Sequence, residues 1–283
     1  MAAQGASPLG PWPPPIEASL WELALGAALL SAGLMIHNDV TDYPSDQVNR
    51  PRKPLPRGAI SHTTARWTGI ACMLTATLVA FVHHPASGGW AWNPVCGVLT
   101  AAIVITGIFY NDHGKMYGLV GHIIVAFGVG AIPLWGALKV YGTAGLAMMP
   151  IALAIFVMEI GREIMVCVGD MPGDIEAGFR TTPIRLGRDR AMRLVLWFYA
   201  GYLILLPLPY TGLGPWPGLF GDVYLVGAVI FAVILFATWV ATRRAIGRGD
   251  EKAIFAAFER HIRLGTRLGV VFFQLVLFAE AFL

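Results

Sequence analysis

Eight apolar runs dominate the chain, at residues 18–37, 66–84, 92–110, 117–138, 144–166, 191–210, 218–241 and 265–283. Each is close to the roughly 20 residues that an α-helix needs to cross bilayer hydrocarbon. This narrows the fold, because backbone polar groups inside lipid must be satisfied by the chain itself. Only helices and closed barrels achieve that. Barrel strands alternate apolar and polar positions, and these runs do not. Charged residues make up 13% of the chain, about half the usual share of a soluble domain, so a water-facing surface cannot be covered. The expected fold is an all-α, polytopic membrane helical bundle with about eight transmembrane helices. Residues 1–17, "MAAQGASPLGPWPPPIE", lack a basic n-region and read as an extended N-terminal lead-in, not a signal peptide. Residues 18–283 read as one membrane domain.

Charge sets the expected orientation. Of 20 Lys and Arg residues, all but Lys139 fall in the stretches 39–66, 110–116, 161–193 and 242–267. Basic residues collect on the cytoplasmic side, and eight alternating spans put all four stretches there. The acids crowd the same ends. Asn38, Asp42 and Asp46 are spaced i, i+4, i+8 where the first run stops, and Asp170 and Asp174 are spaced i, i+4 near the end of the fifth. Such spacing lines up side chains along one helical face, although Pro44 and Pro172 fall inside the two clusters and bend that face.

Carboxylates at this depth are costly unless they are paired or bound to a metal. Two such clusters suit hard divalent cations, and Mg2+ is commonly shared between carboxylates and substrate phosphates. Lys53 and Arg57 follow the first cluster, Lys115 follows Tyr110, Arg162 precedes the second cluster and Arg180 follows it. Cations beside a carboxylate-held metal suit a diphosphate neutralised from two sides. His37 and His122 lie on apolar runs and read as core histidines. Asp39 reads as a helix-end residue, and Asp112 as either a ligand or loop surface. The three cysteines, Cys72, Cys96 and Cys167, show no metal-ligand spacing. No nucleic-acid motif is present. A transporter would place its acids nearer the bilayer midplane.

These residues carry a resemblance. "NDVTDYPSDQVNRPRKPLPRG" resembles the first aspartate-rich motif of the UbiA superfamily of intramembrane prenyltransferases, NDxxDxxxD. "GDMPGDIEAGFRTTPIRLG" resembles the second motif, DxxxD followed by Arg-Thr-x-Pro, and "YNDHGKMYGLVGH" resembles the family's Tyr-to-Lys segment. The resemblance implies a helical membrane enzyme with a multi-pass fold, and the basic stretches put its active site on the cytoplasmic side. It implies Mg2+ as cofactor, a prenyl diphosphate donor and a lipophilic acceptor among membrane lipids. By matching position, Asn38, Asp42, Asp46, Asp170 and Asp174 hold the metal, and Asp42, Asp46, Asp170, Asp174 and Lys115 carry catalysis. Tyr110, Lys115 and Arg180 support the diphosphate by the same match, and Lys53 and Arg162 join them on their charge and place beside the two clusters.

Two departures stand out. The family usually has nine spans, and its first helix has no counterpart among these eight runs. Many relatives read Arg-Glu-x-x-Lys-Asp before the second motif, whereas this chain has Val166 and Cys167 at the last two positions. The alternative is a terpene cyclase of the same superfamily, which ionises the donor and uses no external acceptor.

Overall fold

The computed structural model describes residues 18–83, 91–212, 218–262 and 264. They form eleven α-helices with short 3-10 turns and one minimal β-hairpin, so the fold is all-helical as expected. The helices are α1 (Ala18–Thr41), α2 (Tyr43–Asn49), α3 (His62–Ala80), α4 (Pro94–His113), α5 (Leu119–Tyr141) and α6 (Met149–Glu176). They continue as α7 (Thr182–Leu186), α8 (Arg188–Leu205), α9 (Leu208–Thr211), α10 (Asp222–Arg248) and α11 (Glu251–His261).

Seven of the eight apolar runs fall on long helices, and the eighth, 265–283, lies outside the described residues, as does the lead-in 1–17. Among the described residues, five helical segments are long and apolar enough to cross a membrane: Glu22–Thr41, Pro94–Met116, Leu119–Tyr141, Arg188–Thr211 and Asp222–Arg248. The other two are more polar than the run reading supposed. α6 carries Glu159, Arg162 and Glu163 in its middle, and α3 is diluted by threonines and Arg66. Large apolar side chains point outward along these helices, among them Leu78, Ile105, Trp197 and Ile204. Water would penalise such a surface, and lipid does not.

The chain divides into two compact units. One comprises residues 15–146 and 172–181. Here α1 and α3 pack backbone to backbone. A Cβ added at Gly33 would lie 2.6 Å from Met73 Cγ and 2.9 Å from Met73 N, so only glycine permits the approach. Small residues at membrane helix contacts serve this purpose. Ala80, Cys96 and Trp135 form a buried core, and the Trp135 indole donates to Thr100 Oγ1 at 2.8 Å. Asn93 caps α4 by accepting from Cys96 N at 3.1 Å and donates to Leu138 O at 3.3 Å. Lys139 is buried. Its ammonium donates to Val79 O at 2.9 Å and to Val82 O, closing the carbonyl end of α3. Val82–His83 pairs antiparallel with Ala91–Trp92 just beyond.

The other unit comprises residues 1–14, 147–171 and 182–283. In it α10 packs against α8 and α11. The Trp239 indole donates to Met192 O at 2.8 Å, and Tyr224 OH donates to Leu206 O at 3.0 Å. Gly249, in the left-handed region at φ 66°, ends α10, and Asp250 caps α11 by accepting from Lys252 N and Ala253 N.

Candidate active site

The first aspartate cluster forms where α1 stops. Asp42 is the residue between α1 and α2, and Pro44 falls in the first turn of α2. Proline fits there because its missing N–H has no helical partner to lose. The turn is re-set without losing the spacing. Asp42 N donates to Asn38 O and Asp46 N to Asp42 O, both at 2.8 Å. The i, i+4, i+8 relation therefore crosses the junction between two helices and is not carried by one straight face.

Cations from distant positions meet these acids. Lys53 Nζ donates to Asp39 Oδ1 at 2.7 Å and to Asp46 Oδ2 at 2.6 Å, and Arg50 lies 3.6 Å from Asp46 Oδ1. Lys115 pairs with Asp42 and sits 5.2 Å above the centre of the Phe179 ring. Lys115 O accepts from Arg180 N at 3.2 Å, tying the Tyr110–Lys115 segment to the second motif's tail. Burial pushes the Asp46 carboxyl above its ordinary value, while the bond to Lys53 opposes that rise.

The second motif docks on α2. Ser45 Oγ donates to Asp174 Oδ1 at 3.0 Å and accepts from Asn49 Nδ2 at 3.1 Å. Asn49 Oδ1 accepts from Gly173 N at 3.1 Å. Gly173 makes the approach possible, since a Cβ there would lie 2.5 Å from Asn49 Nδ2 and 2.7 Å from Ser45 O. Asp174 is thus buried against the helix that carries Asp46.

The structure brings together Asn38, Asp42, Asp46, Lys53, Tyr110, Lys115, Asp174 and the backbone of Arg180 within one unit. Tyr110 is buried, with Gly114 and Gly121 leaving room for its ring. Asp170 and Arg162 belong to the other unit. There the Arg162 guanidinium is clasped by its own helix: Nε donates to Glu159 Oε2 at 2.7 Å, and Nη2 pairs with both Glu159 and Glu163. Ser45, Asn49 and Asn111 escaped the sequence reading. Neutral side chains at long range carry no charge pattern, although Ser45 and Asn49 have i, i+4 spacing on α2.

Among the described residues, no three His, Cys, Asp or Glu side chains stand close enough to hold a metal ion by themselves. The donor set still suits a hard divalent cation. It offers carboxylate and amide oxygens, and the buried Asp42 and Asp46 are already each faced by an ammonium. Mg2+ is typically held by one or two carboxylates and completed by phosphates.

Known proteins match this architecture. A digeranylgeranylglyceryl phosphate synthase of Thermococcus kodakarensis is 33% identical over 206 residues, covering 73% of this chain and 68% of that one. The apo structure of a UbiA homolog from Aeropyrum pernix shares the fold with a TM-score of 0.70 at 16% identity, over 95% of this chain and 91% of that one. A UbiA homolog from Archaeoglobus fulgidus, solved bound to GPP and Mg2+, shares it with a TM-score of 0.57 at 19% identity, over 91% and 89%. The model of the UbiA prenyltransferase family matches residues 2–259, nearly the whole sequence. This multi-pass membrane protein belongs to the UbiA prenyltransferase family.

Proposed function

We propose that the chain is a Mg2+-dependent intramembrane prenyltransferase. It moves an isoprenoid group from a prenyl diphosphate to a lipophilic acceptor, at the cytoplasmic end of its helices. The observation that carries this reading is the docking of Asp174 onto α2 beside Asp42 and Asp46, with Lys53 and Lys115 reaching the same acids. Asn38, Asp42 and Asp46 would hold one metal. Asp174 would serve a second. When bound, Mg2+ neutralises the charge that develops on the departing diphosphate.

The chain's own groups do the rest. Lys53 and Lys115 are ammoniums parked on carboxylates that a metal would take over. Each then has a charge to offer phosphate oxygens. Arg180, tethered through its backbone to Lys115, and Tyr110 border the same place. The allylic C–O bond breaks with its electron pair leaving on the diphosphate. A nucleophilic atom of the acceptor bonds to the allylic carbon and gives up its proton. The likeness to the T. kodakarensis digeranylgeranylglyceryl phosphate synthase supports an acceptor built on glyceryl phosphate and a geranylgeranyl donor.

The test uses membranes containing the full chain, with Mg2+ and geranyl, farnesyl or geranylgeranyl diphosphate in turn. Geranylgeranylglyceryl phosphate is added or withheld. A prenylated adduct that needs the acceptor, stops with EDTA and returns with Mg2+ is the expected result. Activity that persists without divalent ions overturns the reading. A cyclic terpene formed without acceptor replaces it with the cyclase.

A further inference from the structure

Asn38 is not held by a helix alone. Its Nδ2 donates to Asn111 Oδ1 at 3.2 Å, across 73 positions of sequence. Asn111 Nδ2 donates to the backbone oxygen of Leu34 at 3.2 Å and lies 3.1 Å from His37 Nδ1. His37 Nε2 lies 3.6 Å from Asp112 Oδ1. All five residues belong to one compact unit, and His37 and Asn111 are buried.

The polarity of this chain is fixed from one end. A carbonyl oxygen only accepts, so Asn111 must turn its NH2 towards Leu34. Its second N–H then points at His37 Nδ1, which must be the unprotonated ring nitrogen. The ring proton sits on Nε2, facing the Asp112 carboxylate. Asn111 consequently turns its oxygen towards Asn38, and Asn38 must answer with its NH2. The one orientation left for the Asn38 amide aims Oδ1 away from Asn111, as the oxygen available to a cation. Reversing either amide would set oxygen against oxygen or NH2 against NH2.

We infer that Asn111, backed by His37 and Asp112, is a positioning residue that presents Asn38 Oδ1 to the metal. This rests on the proposed metal site, in which Asn38 is a ligand. Partners that orient a ligand typically change metal affinity by about 10- to 100-fold when removed. Asn111 does this without charge, and it follows Tyr110 directly in sequence, so the Tyr-to-Lys segment serves the metal as well as the diphosphate.

The experiment reads metal binding. Mn2+ is titrated into the full chain in detergent, with geranyl thiolodiphosphate as an unreactive donor, and bound Mn2+ is followed by EPR. Wild type, Asn38→Ala, Asn111→Ala and the double variant are compared. Asn111→Leu, which keeps the volume, stands in wherever alanine gives no folded protein. The expected result is an increase of about tenfold in the half-saturating Mn2+ concentration for Asn111→Ala. The double variant should be no weaker than Asn38→Ala alone, because the two act as one unit. Unchanged Mn2+ binding in Asn111→Ala overturns the inference. So do losses that multiply in the double variant, since Asn111 would then act elsewhere. A wild type that binds no Mn2+, or an Asn38→Ala that binds as wild type, overturns the metal reading beneath it and is distinguished by those two samples alone.

Discussion

The acid–base cluster at the end of α1 and the one in the middle of α6 lie in different compact units, and they are built on opposite plans. At the end of α1, Asp42 and Asp46 are neutralised by lysines from elsewhere: Lys115 from the segment after α4 and Lys53 from the loop after α2. In the middle of α6, Arg162 is neutralised by Glu159 and Glu163 of its own helix. The first arrangement borrows its counter-charges, and on the proposed function it exchanges them for a metal and a diphosphate. In the second, two carboxylates of the same helix already face the guanidinium. Position next to a motif therefore says less about a cation's role than the origin of its partners does. Arg162 looked like a diphosphate ligand because it precedes the second motif, yet its nearest charges are fixed by i, i+3 and i, i+1 neighbours.

Substitutions can break this contrast. The largest effect is expected from Asp42→Ala or Asp174→Ala, which should lower turnover by at least about a thousandfold, corresponding to several kcal/mol of lost charge stabilisation. Product formation is the readout, and a monodisperse, folded protein in detergent is the control. Near-normal turnover would refute the borrowed-charge site. Arg162→Leu should act on stability, since it strands the buried Glu159 carboxylate and the half-buried Glu163. A loss of about 3–5 kcal/mol is the usual scale for breaking a buried pair. Thermal unfolding checks this, and a raised donor KM at unchanged stability would return Arg162 to the diphosphate. Lys115→Ala should raise the donor KM about tenfold, the scale of one charge-assisted hydrogen bond, with kcat less affected. An unchanged donor titration would make Lys115 a structural partner of Asp42 and nothing more.

A separate effect, seen only on acidification, is an acid limb in stability from the unit that holds Arg162. His261 is buried, with Nδ1 3.0 Å from Thr238 Oγ1. Thr238 gives its own proton to Leu235 O, so Nδ1 is the donor. Burial, reinforced by the Arg162 charge, lowers its pKa from 6.5 to about 3. Below 6.5 the unfolded chain binds a proton that the folded chain refuses. Stability should therefore fall as pH drops from about 6.5 towards 3. His261→Gln should flatten that limb in thermal melts taken across the range. A wild-type stability independent of pH there would show that His261 finds a way to charge in place.

Much of this was legible in the sequence for a simple reason. Bilayer thickness imposes a length on apolar runs, and acids where hydrocarbon ends have few reasons to be there. Seven runs accordingly lie on helices, and Asp174 docks through Ser45 onto the helix that carries Asp46. What was not legible depends on contacts without a sequence period. The break at Asp42 follows from Pro44 fitting a new first turn, not from bending one helix. Ser45 and Asn49 acquire their role only because Gly173, more than a hundred positions on, comes against them. His37 was rightly read as a core histidine, but its link to Asn111 needs the end of α4 to lie beside the end of α1. The polar middle of α6 was present in the composition of its run and was outweighed there by the surrounding apolar residues.

Gly173 sets a limit on how this protein can drift or be engineered. Any β-carbon at that position meets the backbone oxygen of Ser45, which cannot rotate out of the way as a side chain would. Gly247 of α10, by contrast, would meet nothing within 4 Å. A saturation library should thus return glycine alone at 173 and a broad spectrum at 247. Alanine at 247 is a starting point for a more heat-resistant variant, and position 173 should be left out of any such campaign.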